Sequence, residues 1–202
     1  MAEQAQGTAG GLSVEGMPAW QFARRRRIVT AALQALERQE YEQIQIRDVA
    51  LAAEVALGTL YRYFSSKEHL YAAVLQEWAA FGRPRGTRGP QSVPAAERIR
   101  RRTHAVIRTI ERQPQFFKVY VLLQTSTDPN ARQLLVEFAQ TAQTTLAKEF
   151  EELDPVDAED SAIMLWSIVN TLVTEAIYRG GSMREVHRIA DRFIDLLSPR
   201  LP

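Results

Sequence analysis

The chain has 202 residues, 46% of them apolar and 24% charged, enough material for a real core or for two small linked units. It contains no Cys, which excludes disulfide frameworks, thiolate metal sites, cysteine nucleophiles and iron–sulfur ligation together and fits a reducing cytoplasm. The formal net charge of +1 hides an asymmetry: residues 20–112 hold 17 Lys and Arg against 9 acids, whereas residues 113–202 hold 8 against 13, so the front half is the candidate partner for a polyanion.

Residues 1–19 are rich in Gly, Ala and Gln and lack both a basic start and a continuous apolar run, so they are expected to be a disordered leader rather than a targeting signal. No stretch approaches the roughly 18 consecutive apolar residues of a membrane span, and no membrane partner is expected. Helical periodicity dominates and no alternating Val/Ile/Thr segment appears, which predicts an all-α fold. Phe22, Val29, Leu33 and Leu36 stripe a first helix over 20–39, and Ile46, Val49, Ala50 and Ala53 stripe a short second one. A third short helix is expected over 57–64, with Leu60 and Phe64 on one face. Ser65 and Glu68 have the spacing of a capping box, opening a helix that carries Leu70, Val74, Trp78 and Phe81 inward and ends near Gly82.

Residues 82–94, GRPRGTRGPQSVP, are too rich in Gly and Pro for regular structure and read as a linker. Beyond it, Ile99, Val106 and Ile110 stripe a helix that Pro114 ends, and an apolar helix with Phe116, Phe117, Tyr120 and Leu123 follows. Asp128-Pro129 and Asp154-Pro155 each place a capping acid before a Pro suited to a first helical position, announcing two long helices. Residues 162–173, AIMLWSIVNTLV, are apolar almost all the way round, so this helix is expected to be covered on two sides. Gly180-Gly181 closes it. Ser182 and Glu185 then open a last helix striped by Val186, Ile189, Ala190, Phe193 and Leu197. The two together predict a four-helix interface in a homodimer, with Leu165, Ile168, Leu172, Val186, Ile189, Phe193 and Leu197 as interface candidates.

The most informative stretch is residues 47–70, RDVALAAEVALGTLYRYFSSKEHL: two short helices joined by a tight turn near Glu54-Val55, then a capped third. That is a helix-turn-helix, whose second helix presents its leading residues to base edges in the major groove. The hydroxyls of Thr59, Tyr61 and Tyr63, the Lys67 ammonium and the Arg62 guanidinium are candidate phosphate ligands. The run Arg24, Arg25, Arg26 and Arg27 is a candidate arm for an adjacent minor groove, and Arg98, Arg100, Arg101 and Arg102 form a second basic cluster.

Residues 41–70, and GTLYRYFSSKEHL at 58–70 above all, resemble the DNA-binding domain of the TetR family of bacterial repressors. The resemblance implies a three-helix head joined to about six further helices that hold an inducer pocket and a dimer face. It further implies that Thr59, Tyr61, Tyr63 and Lys67 contact the DNA backbone, while Arg47, Leu57, Gly58 and Arg62 lie at or near the bases. Three positions depart from the family pattern: Ile44-Gln45 stands where Thr-Thr is usual, Glu54 replaces a turn Gly, and Ala56 replaces a capping Ser. Those same departures are similar to the actinobacterial repressors of sterol-degradation genes, which implies an acyl-coenzyme A or steroid-like inducer.

The expected division is a leader over 1–19, a helix-turn-helix head over 20–66, a connecting helix over 67–82, a linker over 83–94 and a ligand-binding and dimerisation domain over 95–202. In the last, Thr103, His104, Ile107, Phe116, Phe117, Tyr120, Gln124, Phe138, Trp166 and Asn170 are candidate lining for an apolar pocket with a few polar anchors. The helix over 95–112 is the expected lever between pocket and head. His69, His104 and His187 are far apart in the chain, and there is no Gly-rich phosphate loop or nucleophile elbow, so no enzyme, cofactor or metal is expected. The expected partners are a palindromic double-stranded operator, a hydrophobic small molecule and a second copy of the chain. A helical carrier of hydrophobic ligands without specific DNA binding is the alternative.

Overall fold

The computed structural model describes residues 18–82 and 93–201, with side chains from 80 to 82 excepted. The expected leader and most of the linker lie outside those residues, as does the side chain of Phe81. Within them the chain is helical and contains no strand. The helices are α1 (Ala19–Arg38), α2 (Ile46–Ala52), α3 (Leu57–Tyr63), α4 (Lys67–Gly82), α5 (Ala95–Arg112), α6 (Pro114–Leu123), α7 (Pro129–Ala147), α8 (Pro155–Tyr178) and α9 (Met183–Leu197). Single 3-10 turns lie at Tyr41–Gln43, Lys148–Phe150 and Ser198–Arg200.

The contacts divide the chain into two compact units, one of residues 1–79 with 118–135, the other of residues 80–117 with 136–202. This differs from the expected boundary near residue 94. Residues 118–135 group with the head because Ser65, Gln76 and Glu40 bond there: Ser65 Oγ donates to Asp128 Oδ2 at 2.9 Å, Gln76 Nε2 to the Leu134 carbonyl at 3.3 Å, and Lys118 pairs with Glu40 at 3.1 Å. The expected lever, α5, lies wholly in the other unit.

In the first unit, Ile28, Val29, Ala32 and Leu36 of α1 meet Val49, Ala50, Leu60, Phe64, Leu70, Tyr71 and Val74 in one apolar core. Tyr71 is fully buried, donates to the Ala32 carbonyl at 3.2 Å and meets the Tyr41 ring edge-on at 5.1 Å. Phe22, expected inward, is exposed. It lies near the start of α1, nearly two turns before the buried Ile28-Val29 pair takes over.

In the second unit, α9 packs against both α5 and α8. The inward stripe of α5 is Ala95, Ile99, Thr103, Ile107 and Ile110; Val106, expected on it, points outward because the stripe drifts with the 3.6-residue period. Asp154 caps α8 as expected, accepting from the N–H groups of Val156 and Asp157 at 3.0 and 3.2 Å. Asp128 does the same for α7, taking the N–H groups of Asn130 and Ala131 at 2.8 and 2.9 Å.

Two expected capping boxes form differently. The cap of α4 is Ser66, whose Oγ accepts from the His69 N–H at 2.9 Å, which leaves Ser65 free for Asp128. Ser182 precedes α9 without a side-chain cap, and Glu185 turns instead to Arg188 at 3.0 Å.

Candidate nucleic-acid interface

The turn between α2 and α3 is closed by backbone bonds from Glu54 N–H to the Leu51 carbonyl and from Val55 N–H to the Ala50 carbonyl, each at 3.0 Å. Glu54 takes φ 55°, the left-handed conformation that glycine adopts without strain, at a cost of about 1 kcal/mol. Helix α3 begins at Leu57 with no side-chain cap from Ala56. A seven-residue helix with these handicaps is held by its inner face, where Leu60, Tyr63 and Phe64 are buried.

Its outer face carries Leu57, Gly58, Tyr61 and Arg62, all exposed, with Thr59 half-buried. Arg47 on α2 is exposed and loosely paired with Asp48 at 3.5 Å. On α1, Arg26 and Arg27 are exposed, and Arg27 reaches Glu54 at 3.6 Å. Exposed pairs of this kind contribute little and open easily in favour of a phosphate. Between α1 and the turn lies a groove of about 620 Å³ lined by Phe22, Arg26, Arg27, Thr30, Gln34, Ala52 and Glu54. Thr30 and Gln34 add exposed polar groups that sequence reading missed, since only the packing of α1 against α2 sets them beside the turn.

Four expected contacts are placed otherwise. Arg24 lies over the Trp20 ring at 5.1 Å, and Arg25 turns inward over Phe64 at 5.0 Å, where burial pulls its pKa down against the field of Glu77. Tyr63 is 4% exposed and belongs to the core. The Lys67 ammonium donates to the Tyr41 and Ile44 carbonyls, the latter at 2.9 Å, and sits 4.1 Å from the Tyr41 ring. Burial lowers its pKa, though Glu42 and Glu68 oppose that. Lys67 thus ties the loop after α1 to the start of α4, a structural task that uses donors a phosphate would need.

Behind α3, Ser65 forms a junction. Its Oγ donates to Asp128 and accepts from Asn130 Nδ2 at 3.0 Å, while its N–H donates to His69 Nδ1 at 3.1 Å. That last bond requires an unprotonated Nδ1, and His69, 8% exposed, has its pKa lowered by burial, with Asp128 raising and Arg25 further lowering it. For Asp128 burial pushes the pKa up, but hydrogen bonds from the Ala131 N–H, Ser66, Ser65 and the Asn130 N–H outweigh it and the net direction is down.

In the second unit the basic cluster is spent internally. Arg98 pairs with Glu152, Arg100 with Asp195 at 2.6 Å and Asp191 at 3.3 Å, Arg101 with Glu97 at 2.7 Å, and Arg102 with Glu149 at 3.0 Å. His104 and His187, distant in sequence, meet edge-on at 4.4 Å; His104 Nε2 lies 2.8 Å from Asp191 and His187 Nε2 lies 3.8 Å from Glu111. His104 therefore braces α5 against α9. Among the described residues no cluster of three His, Asp or Glu could hold a metal.

Of the other pocket candidates, Ile107, Phe116 and Phe117 are buried, and Phe138 meets Trp166 edge-on at 6.4 Å. Thr103 is buried with its hydroxyl bonded to the Ile99 carbonyl at 2.8 Å, which leaves it no free donor. Asn170 is half-buried, Tyr120 and Gln124 fall in the first unit, and Gln124 is exposed. Of the interface candidates, Leu165 and Val186 are each 1% exposed and belong to the core; Ile168, Leu172, Ile189, Phe193 and Leu197 are half-buried.

Comparison with known proteins shows what the chain resembles. Residues 28–74 match the profile described as bacterial regulatory proteins, tetR family. The chain is 30% identical over 137 residues to the HTH-type transcriptional repressor KstR of Rhodococcus jostii (strain RHA1), an alignment covering 68% of this chain and 64% of that protein. It is 51% identical over 55 residues to KstR of Mycolicibacterium smegmatis, 27% of each chain. The crystal structure of a TetR transcriptional regulator from Rhodococcus sp. RHA1 superposes with a TM-score of 0.65 at 22% identity, covering 88% of this chain and 96% of that one. Residues 28–74 thus match the tetR-family profile, in a chain that has a partial likeness to KstR repressors and shares its fold with a solved TetR regulator.

Proposed function

We propose that this protein is a DNA-binding transcriptional repressor that acts as a homodimer on a palindromic operator and is released by a hydrophobic small molecule. The observation that carries the reading is the helix-turn-helix over 46–63, whose exposed face combines Arg47, Tyr61 and Arg62 beside Arg26 and Arg27 of α1. Phosphate contacts from such groups fix register, and base-edge contacts supply preference.

Dimerisation is supported by α8. Ala158, Ala162, Leu165, Val169 and Val173 face the core, yet Ile163 and Met164 are exposed on the other side and Leu196 is exposed on α9. Contrary to the expectation from consecutive apolar residues, α8 is long and apolar enough by length and composition to cross a membrane, and 28% of its most apolar 18-residue stretch is buried in one chain. A second copy covering that side would bury apolar surface worth about 25 cal/mol per Å². The rest of the α8–α9 surface candidates, Ile168, Leu172, Ile189, Phe193 and Leu197, extend the same patch.

For release, an inducer must prefer one conformation of the dimer over the one that fits DNA, and its effect is limited to that difference in affinity. The likeness to KstR repressors motivates an acyl-coenzyme A or steroid-like molecule, lodged among Ile107, Phe116, Phe117, Phe138 and Trp166.

The test is selection of bound duplexes from a random pool at physiological salt, with and without a sterol-derived acyl-coenzyme A. Enrichment of a palindrome that disappears with the ligand supports both halves of the proposal. Enrichment indifferent to the ligand keeps the regulator and discards this inducer class. Absence of enrichment favours the hydrophobic-ligand carrier.

A further inference from the structure

At its leading edge α3 breaks the rules of a stable helix at three consecutive positions. Ala56 caps nothing, Leu57 is 42% exposed, and Gly58 weakens a seven-residue helix without any packing need, since a Cβ placed there meets nothing within 4 Å. Gly58 is not at positive φ either, so neither backbone geometry nor the interior accounts for it. Local choices that oppose the fold at one spot mark a place where something outside the chain sets the requirement.

The exposed groups around that edge are cationic: Arg47 on α2, Arg62 on α3, and Arg26 and Arg27 on α1. The acids beside Arg47 and Arg27 are exposed partners that a polyanion displaces. The occupant is therefore the DNA major groove, which admits a helix. Among the base-edge groups there, only the C5-methyl of thymine is apolar.

We infer that Leu57 reads a thymine C5-methyl in each half-site, with Gly58 bare so that the backbone of α3 can approach closely enough for that contact. The inference rests on the DNA-binding reading above and deepens it. Within the span Ala56–Tyr63 there is no Asn, Gln, Asp or Glu, so the side chains that pair adenine or cytosine edges are absent from α3 itself. Leu57 and Gly58 thus set an apolar preference, and Arg47 and Arg62 supply guanine-type donors beside it.

The experiment takes the duplex recovered by selection with the full-length protein and replaces each thymine in turn by uracil, which removes the methyl and keeps every hydrogen bond. Binding to each duplex is measured for the wild-type chain, Leu57→Ala and Gly58→Ala. One thymine per half-site is expected to matter, its replacement weakening wild-type binding by about fourfold, the effect of one buried methyl. Leu57→Ala is expected to erase that difference while lowering the denaturation midpoint only slightly, because Leu57 is 42% exposed. Gly58→Ala is expected to raise the denaturation midpoint yet weaken binding at least as much as uracil does.

Uracil neutral at every position overturns the inference and leaves the regulator standing, as does a uracil effect that persists in Leu57→Ala. Failure of the selection to yield any preferred duplex overturns the inference together with the reading it rests on.

Discussion

Lys67 and Arg26 carry the same charge in the same unit, but their surroundings assign them different tasks. The Lys67 ammonium is bonded to two carbonyls and lies over an aromatic ring, whereas Arg26 projects into solvent beside the α1–α2 groove. Lys67→Met is expected to lower stability by roughly 1–3 kcal/mol, the worth of hydrogen bonds from a charged donor, and to leave the salt dependence of DNA binding unchanged. Arg26→Ala is expected to do the reverse, leaving the urea midpoint in place and reducing the slope of log affinity against log salt by about one. Urea titration and binding at several salt concentrations separate the two. At this scale the sequence supplied the residue types of the motif but not the direction in which each side chain turns. Tyr63 and Lys67 lie in a motif that resembles a DNA contact surface, but a motif does not say which side chains its helix turns inward.

Among the elements, the junction behind α3 is the most testable. Asp128 caps α7 and holds Ser65, so Asp128→Ala removes a cap worth about 0.5–2 kcal/mol and also releases the link to the α3–α4 loop. Amide exchange is expected to rise at Asn130 and Ala131 first, with Ser65 and His69 following. The same junction gives a pH dependence. Both His69 and Asp128 have pKa values below their ordinary ones in the fold, so the unfolded chain binds protons more readily. Stability is therefore complete at neutral pH, and the His69 share is lost as pH falls below about 6.5, the Asp128 share below about 3.9. The urea midpoint is expected to drop between pH 7.5 and 5.5, and less steeply in His69→Gln. Equal slopes in the two proteins would sink the assignment. The Asp-Pro signals at 128–129 and 154–155 were legible because a cap is local; the partnership of Ser65 with Asp128 spans 63 residues and was not.

For the whole molecule the decisive surface is α8. Replacing Ile163 and Met164 together by Asp and Lys places charges where a second copy is proposed to sit, without touching the inward stripe of Ala158, Ala162, Leu165, Val169 and Val173. The expected outcome is a folded monomer at concentrations where the parent is a dimer, measured by light scattering after size exclusion. Binding to a palindrome is expected to fall by more than tenfold, because the two heads no longer act as one ligand. Loss of helical circular dichroism instead would place these residues in the core.

What the sequence determined by itself is what repeats or acts locally. The all-α fold came from the 3.6-residue period, the helix-turn-helix from two short helices and a tight turn, and the near-uniform apolarity of α8 from twelve residues in a row. The resemblance set Glu54 where a turn Gly is usual, and its φ of 55° is left-handed. Tertiary structure decided everything that depends on two distant segments meeting. It paired Arg98 with Glu152, Arg100 with Asp191 and Asp195, and Arg102 with Glu149, brought His104 and His187 into contact, and grouped residues 118–135 with the head. The physical reason is one of range. A helix's apolar stripe and its caps are set within one or two turns, whereas the partner of a charged side chain is chosen by packing between helices, and no one-dimensional pattern encodes it.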